Sequence, residues 1–253
     1  MKKTFFVLFA VFCLTNTNLK GQTFNMFYGQ PLIVLTEADH NLWVLGSDVP
    51  TFALYENGQI IFRKQISDKW RDYEYYEVKY DRQKIQEIIL SLEITDSLIK
   101  QDDFIKTSNA FGHNTNILVL NFDKFIEKKV YGGLRYDEEA QKNTPKYFLD
   151  VFNNIINFND TLAKKWFPAF FEVFVSETDF RFEKTIKWKD EWNDMNSSTT
   201  IQSGENMWSI YIHKKYYEDF LKFINDLKDN EADLEINGKS YHIYGYRFPF
   251  PNL

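Results

Sequence analysis

The most informative part of the sequence is P-T-F-A-L-Y-E-N-G-Q-I-I-F-R-K, residues 50–64. Its Asn57-Gly58 pair is typical of a two-residue type I′ β-turn, because both turn positions need a positive φ. If Glu56 pairs with Gln59, successive cross-strand pairs point to opposite faces, and both faces of the hairpin carry apolar side chains. The pairs expected from this register are Tyr55 with Ile60, Leu54 with Ile61 and Ala53 with Phe62. The hairpin therefore predicts a sheet that is covered on both sides.

Around this hairpin, a strand pattern followed by an amphipathic helix pattern occurs three times, with helices expected near residues 81, 144 and 215. Asp81 and Thr144 are expected N-caps, and Pro145 follows the second at the first helical position. The apolar stripes of the helices are Ile85/Ile88/Ile89/Leu92, Phe148/Val151/Phe152/Ile155 and Phe220/Phe223/Ile224/Leu227. The expected strands are residues 32–35, 42–45, 73–80, 117–122, 125–131, 170–175 and 208–212, with a closing hairpin at 234–244 around Asn237-Gly238.

These patterns predict an α+β fold, in which about three amphipathic helices pack on an antiparallel β-sheet built from hairpins. Residues 22–253 are expected to form a single α+β domain. A two-lobed or pseudo-repeat organisation with a break near residues 160–169 is left open, because residues 78–92 resemble residues 210–224. The identities are few, so the common amphipathic pattern is the favoured explanation of this resemblance, and a duplication is the alternative.

The first 21 residues have the pattern of a secretory signal peptide. Lys2 and Lys3 form a short positive region, residues 5–14 form an apolar region, and the small Gly21 allows cleavage after it. A lipoprotein with Cys13 as its lipidated residue is the disfavoured alternative, because Phe12 is too large for that processing step. The sequence therefore predicts an exported protein, periplasmic or extracellular.

The charge and cysteine content of residues 22–253 limit the function classes. Without the three lysines of the predicted signal peptide, 27 basic residues stand against 36 acidic residues, a net charge of −9. An acidic chain without basic runs argues against nucleic acid as a partner. Cys13 is the single cysteine and lies in the signal peptide, so no disulfide or thiolate zinc site is expected. No further apolar run is long enough to span a bilayer, so no transmembrane segment is expected after residue 21.

Two stretches without periodicity, residues 95–116 and 189–206, are the expected location of any functional site, since long loops in compact domains are often functional. The first holds Asp102, Asp103 and His113, which could converge on a cation or serve a hydrolase. The alternative is a solvated loop in which Asp and Asn side chains form turns. No sequence signature assigns catalytic residues, and neither a metal nor a cofactor is expected.

The second stretch begins beside Trp188 and Trp192, which flank the charged segment K-W-K-D-E-W. Exposed tryptophans beside polar groups can stack on a sugar ring or anchor a partner, so both residues are candidate ligand-binding residues. The favoured alternative is that one or both pack under the loop as a satellite cluster.

Two segments together resemble an uncharacterised class of exported bacterial proteins. They are P-T-F-A-L-Y-E-N-G-Q-I-I-F at residues 50–62 and I-N-G-K-S-Y-H-I-Y-G-Y-R-F-P-F-P at residues 236–251. The class opens with a Pro-x-Phe-x-Leu-Tyr-x-x-Gly hairpin and closes with a Gly-x-x-Tyr hairpin and an Arg–Pro tail. The tail here is more aromatic than the class pattern, and the resemblance implies neither an activity nor site residues.

The expected function is binding without catalysis: an exported envelope or secreted protein that binds a protein or glycan through its loops. A narrower version is an inhibitor or immunity-type protein whose net charge of −9 suits a basic partner. The alternative is a hydrolase with a non-local site of carboxylates and histidine, because catalytic groups can assemble from distant parts of a chain.

Overall fold

The computed structural model describes residues 28–38, 49–67 and 73–253. The predicted signal peptide and the strand predicted at residues 42–45 lie outside the described residues. Within them the chain forms two β-sheets and five α-helices, so the α+β class is confirmed. The finer prediction of one sheet with about three helices is wrong. Two of the helices are short and start at polar caps, Thr95 and Asp137, in segments that lack an apolar stripe.

The first sheet is formed by the described residues up to 165 and has the spatial order β5-β7-β6-β1-β2-β3-β4-β8. Its strands are β1 Pro31–Ala38, β2 Phe52–Tyr55, β3 Gln59–Gln65, β4 Tyr73–Lys79, β5 Phe104–Lys106, β6 Thr115–Asn121, β7 Phe125–Tyr131 and β8 Lys164–Lys165. Four helices belong to this part of the chain: α1 Arg82–Ser91, α2 Asp96–Lys100, α3 Glu138–Asn143 and α4 Lys146–Ile156. All its described ladders are antiparallel except that of β5 with β7.

The second sheet follows and has the spatial order β10-β13-β14-β9-β12-β11. Its elements are β9 Phe170–Glu177, β10 Thr185–Lys187, β11 Ile201–Gly204, β12 Met207–His213, α5 Tyr217–Asp229, β13 Asp233–Ile236 and β14 Lys239–Arg247. A 3₁₀ turn, Lys214–Tyr216, joins β12 to α5. β10 and β13 are parallel, and the other described pairs are antiparallel. The chain passes between the sheets at residues 166–169. The single-domain and pseudo-repeat interpretations both stay predictions.

The central hairpin is buried on both faces, as its apolar pattern predicts. Phe52, Leu54, Ile60 and Phe62 face the first core cluster, which α1 and α4 cover, and Ala53, Tyr55 and Ile61 face a separate cluster on the other side. The predicted register is wrong by one residue, since Phe52 pairs with Phe62 and Leu54 with Ile60. The turn has three loop residues instead of two: Gly58 N donates to Tyr55 O at 3.0 Å, and Gly58 alone takes a positive φ, of 85°. This corresponds to a type I turn followed by a left-handed glycine.

The closing hairpin forms the predicted turn. Asn237 and Gly238 have φ values of 51° and 81°, and Ile236 pairs with Lys239 across a two-residue loop. The helix stripes are also confirmed, and Asp81 caps α1 by accepting a hydrogen bond from Lys84 N at 2.8 Å. The predicted cap at Thr144 is wrong: this residue ends α3, its Oγ1 donates to Ala140 O at 2.7 Å, and Pro145 takes the N-cap position of α4.

The C-terminal segment covers the second face of the hairpin. Phe250 is buried there against Tyr75 and Trp166, with ring centroids 5.3 and 5.1 Å apart. Tyr55 Oη donates to Pro251 O at 2.9 Å, so a buried hydrogen bond joins the hairpin to the segment that follows the second sheet's last strand. Among the described helices, none combines the length and apolar character needed to cross a membrane.

Candidate functional site

A cleft of about 500 Å³ lies in the second half of the chain, where α5, β14 and the loop after β9 approach one another. We call it the β14 cleft. Its walls come from the C-terminal half of α5 with the turn that follows it, from one edge of β14, and from residues 178–182. The lining residues are Thr178, Arg181, Phe182, Ile224, Leu227, Lys228, Glu231, Ala232, Asp233, Leu234, Tyr241, His242, Ile243, Tyr244, Gly245 and Tyr246.

The floor of the cleft is apolar. Ile224 and Leu227 from α5 and Ile243 and Tyr246 from β14 are partly buried and pack against the second core cluster. The helix stripe that binds α5 to the sheet supplies the first two residues, because positions i and i+3 share a helix face. At the opening, Phe182 and Tyr244 keep 48% and 45% of their surfaces exposed. The cleft thus has an apolar floor and an aromatic rim.

Asp233 holds the loop that forms one wall. Its side chain is buried, and its Oδ2 accepts hydrogen bonds from Arg181 N at 2.6 Å and Phe182 N at 2.7 Å. The Asp233 N–H donates to Lys184 O at 3.0 Å, so the same residue joins β13 to the loop by backbone as well. A carboxylate that accepts two backbone N–H groups fixes the loop conformation, because those bonds are charge-assisted. This places Phe182 at the rim.

A β-bulge in β14 shapes the opposite wall. The register with β9 shifts between Ile243, which pairs with Val175, and Gly245, which pairs with Phe174. Alternation along a regular strand would place Ile243 and Tyr246 on opposite faces of the sheet. The extra residue changes this, so that both pack on the side of α5, and Tyr244 extends outward.

The rim also carries charge. Arg181 and Lys228 contribute two exposed cations, and Glu231 contributes an exposed carboxylate, whereas the Asp233 carboxylate is used by backbone donors. Arg181 Nη2 donates to Thr178 Oγ1 at 3.3 Å. Burial, followed by the nearby Glu177 carboxylate, raises the pKa of Tyr241 against the opposing effect of Lys239, so this phenol stays neutral at physiological pH.

No protein-family model, characterised protein or solved structure matches the chain. The assignment of a function therefore depends on the geometry of the described residues.

Trp188 and Trp192 lie in the second core cluster, with exposures of 6% and 4%. Their rings meet edge to face at 5.1 Å and both pack against Phe223. Trp188 Nε1 donates to Asn193 O at 2.8 Å, whereas Trp192 Nε1 has no acceptor among the described residues. This placement agrees with the alternative in which the two rings pack under the loop. Their ligand-binding role stays a prediction.

Asp102, Asp103 and His113 have separate local partners. Asp103 Oδ1 accepts from Lys128 Nζ at 2.8 Å, and this ammonium group, whose side chain is 4% exposed, also donates to Gln101 O at 2.6 Å. Asp103 therefore neutralises a buried cation, while Asp102 is exposed. Among the residues that the structure describes, no group of three or more His, Cys, Asp or Glu side chains is placed to hold a metal ion.

His113 lies beside the start of α3. Its Nδ1 accepts a hydrogen bond from Gly133 N at 3.3 Å and lies 3.6 Å from Asp137 Oδ2. In a catalytic triad, Nδ1 instead donates to the carboxylate, which leaves the other ring nitrogen to accept a proton. The observed contacts do not match that arrangement. The roles of His113, Asp102 and Asp103 in binding or hydrolysis stay predictions.

A second polar cluster lies in the first sheet around Glu37, whose side chain is 3% exposed. Arg135 donates to both carboxylate oxygens at 2.6 and 2.8 Å, Arg63 donates at 2.6 Å, and Thr51 Oγ1 donates at 2.7 Å. Burial alone would raise the pKa of Glu37, but the hydrogen bond from Arg135, the charges of both arginines and the Thr51 hydrogen bond together lower it. Glu37 thus stays ionised and joins three segments of the first sheet.

No sequence pattern predicts the β14 cleft. In the sequence, Ile224 and Leu227 belong to the stripe of the third helix and Ile243 belongs to the closing hairpin, where they also serve the core, and Tyr246 lies just after that hairpin. One signal was present: F-R-F at residues 180–182 places two aromatic residues around a charged residue in a segment that has no strand or helix pattern.

Proposed function

We propose that this chain is an exported, non-enzymatic protein that binds a partner through the β14 cleft. One observation carries the proposal: a concave site of about 500 Å³ has an apolar floor, a rim of exposed aromatic side chains and a few charged groups. Ligand sites in proteins are typically clefts of roughly 300–1,000 Å³ with mainly apolar walls and a few polar groups. The size and lining of the cleft fit this description.

Export is supported by the sequence. The two lysines and the apolar stretch of residues 5–14 have the order of a secretory signal, and the remaining chain has a net charge of −9 and no cysteine. In an envelope compartment or outside the cell, such a protein would meet its partner as a folded body that no disulfide stabilises.

Binding of the dye 8-anilinonaphthalene-1-sulfonate, which fluoresces in apolar sites, tests the use of the cleft. We expect saturable binding of one dye molecule to the folded protein. Leu227→Trp fills the floor and should weaken binding at least tenfold. Leu162→Trp is the matched control, because Leu162 is 72% exposed and lies outside the cleft, and it should bind the dye like the unsubstituted protein.

Thermal unfolding of the two variants shows whether each is folded before dye binding is compared. The proposal is overturned if the unsubstituted protein does not bind the dye, or if folded Leu227→Trp binds it with unchanged affinity.

A further inference from the structure

The β14 cleft occupies the position of a missing strand. β14 has nine residues and β13 only four, and their ladder covers Lys239 to Tyr241. Beyond it, from Ile243 to Tyr246, β14 is paired with β9 on one side. On the other side the described chain supplies no strand, and the cleft lies there. A strand edge that borders a cavity presents backbone donors and acceptors together with side chains.

The backbone directions along β14 follow from one hydrogen bond. Thr178 N donates to Ser240 O at 3.0 Å, so Ser240 faces β9. These directions alternate in an antiparallel ladder, so His242 also faces β9, and the N–H and C=O of Ile243 point into the cleft. Ala232 would be opposite Ile243 if β13 began earlier, but its N–H donates to Leu227 O at 3.1 Å and closes the last turn of α5.

The lining of the cleft confirms that it follows an edge. Ile243 and Tyr246 pack on the side of α5, whereas His242 and Tyr244 are exposed and belong to no described core cluster, yet all four residues line the same cavity. Side chains from both faces of a strand can border one cavity only at the strand's edge, because neighbouring residues point in opposite directions.

We infer that an extended peptide segment adds to this edge as a further strand; the inference rests on the proposed function and names its partner class. Main-chain hydrogen bonds to β14 would provide affinity, and pockets for alternate side chains would provide specificity. One set of alternate side chains would enter the floor at Ile224 and Leu227. The other set would contact the rim at Phe182 and Tyr244. The added strand would pair with the edge of β14 from Ile243 to Tyr246, which contains the bulge.

The charges at the rim favour one composition of the bound segment. The cleft lining holds two cations, Arg181 and Lys228, and two carboxylates, of Glu231 and Asp233. Because the Asp233 side chain is buried, the exposed charges of the cleft are mainly positive. Its occupant is therefore a segment with alternating apolar side chains and an acidic residue beside them, since opposite charges across an interface favour association. Proline is excluded from the positions that face β14, because it has no N–H to donate.

A phage-displayed library of random twelve-residue peptides tests the inference. The library is selected on the unsubstituted protein and counter-selected on Leu227→Trp, with Leu162→Trp as the control that should retain the selected peptides. We expect enrichment of peptides with alternating apolar residues and an acidic flank. Synthetic versions N-methylated at one alternate set of positions should bind at least tenfold more weakly, and N-methylation of the other set should have little effect.

Two outcomes overturn the inference: no peptide is enriched, or N-methylation weakens binding without alternation along the peptide. If the dye still binds in the cleft and Leu227→Trp still weakens it, the proposed function stands and only the strand addition fails. If Leu227→Trp changes neither the affinity for the dye nor the affinity for the selected peptides, both proposals fail. Amide hydrogen exchange gives an independent measure, because a bound strand should slow exchange of the Ile243 amide.

Discussion

At the scale of single residues, the two Asn-Gly pairs show how the surroundings of a turn decide whether its glycine can be replaced. The two glycines are Gly58 and Gly238. Both follow asparagine and both have a positive φ, 85° and 81°. A Cβ atom added at Gly58 would lie 2.1 Å from Tyr80 O, whereas one added at Gly238 meets nothing within 4 Å. Tyr80 N also donates to Gly58 O at 3.0 Å, so the close approach belongs to the contact between the turn and the end of β4.

We expect Gly58→Ala to lower the free energy of unfolding by more than about 3 kcal/mol, because a backbone clash adds to the cost of a left-handed alanine. Gly238→Ala should lower the free energy of unfolding by about 1–2 kcal/mol, which is the cost of a left-handed backbone conformation for alanine without a clash. Urea unfolding of both variants measures the difference. Equal losses in the two variants would contradict the described contact with Tyr80.

Glu37 provides a prediction about pH. Its pKa is lower in the folded protein than in the unfolded chain, where a glutamate titrates near about 4.3. The unfolded state therefore binds the proton more readily, and stability falls as pH decreases. The stabilisation from this group is fully present above the unfolded value and is lost as pH falls through the folded value.

Glu37→Gln should remove this pH dependence and lower the stability at pH 7 by roughly 3–5 kcal/mol, since two arginines lose their buried partner. Urea unfolding between pH 3 and pH 7 measures both effects. Glu191→Gln, at an exposed position, is the control and should retain the stability of the unsubstituted protein at pH 7. A Glu37→Gln profile as steep as that of the unsubstituted protein would contradict the lowered pKa.

At the scale of elements, the end of α1 offers a stabilising substitution. Glu93 follows the C-cap residue Leu92 with a φ of 58°, and its N–H donates to Leu90 O at 3.2 Å. This is the position where helices commonly place glycine. Glu93→Gly should raise the free energy of unfolding by about 0.5–1 kcal/mol, as measured in urea. Glu93→Ala keeps the left-handed strain, so a similar gain from alanine would contradict this explanation.

The element scale also separates what the sequence predicts from what it does not. Apolar alternation and helix stripes located most described strands and the three long helices, because those patterns report burial directly. The position of the turn at Asn57 is predicted but its length is not, because Glu56 N donates to Gln30 O at 3.0 Å and Tyr80 N donates to Gly58 O. Such long-range contacts select a three-residue loop over the local preference of Asn-Gly.

The candidate site could not be predicted from the sequence for a similar reason. The β14 cleft exists because β13 starts late and the chain turns at Ala232, whose N–H closes the last turn of α5. Neither strand's pattern reveals how far the two overlap. For Trp192, by contrast, the charged neighbours make burial of the ring hard to arrange, so packing under the loop is the favoured interpretation from the sequence, and the ring does pack against Phe220 and Phe223.

At the scale of the whole molecule, Phe250 is the residue that best tests how the C-terminal segment supports the first sheet. It is 4% exposed and touches Tyr75 and Trp166. Phe250→Ala should lower the free energy of unfolding by about 3–5 kcal/mol, the usual cost of removing a buried phenylalanine side chain. Phe111→Ala, at a position with 95% exposure, should change it by less than about 0.5 kcal/mol.

Amide hydrogen exchange shows which strands lose stability in this variant. In the Phe250→Ala variant, amides of β2 and β3 should exchange faster, because the cluster that includes Phe250 covers their second face. Faster exchange limited to β9 and β14 would contradict this, since it would show that the C-terminal segment supports only its own sheet.

The hydrogen bond between Tyr55 and Pro251 spans 196 positions of the chain. Ribosomes make a protein from its N-terminus at roughly 5–20 residues per second. The apolar second face of the hairpin therefore stays uncovered for at least about ten seconds, until the C-terminal segment that packs on it has been synthesised. During that interval the exposed apolar surface makes the nascent chain prone to aggregation.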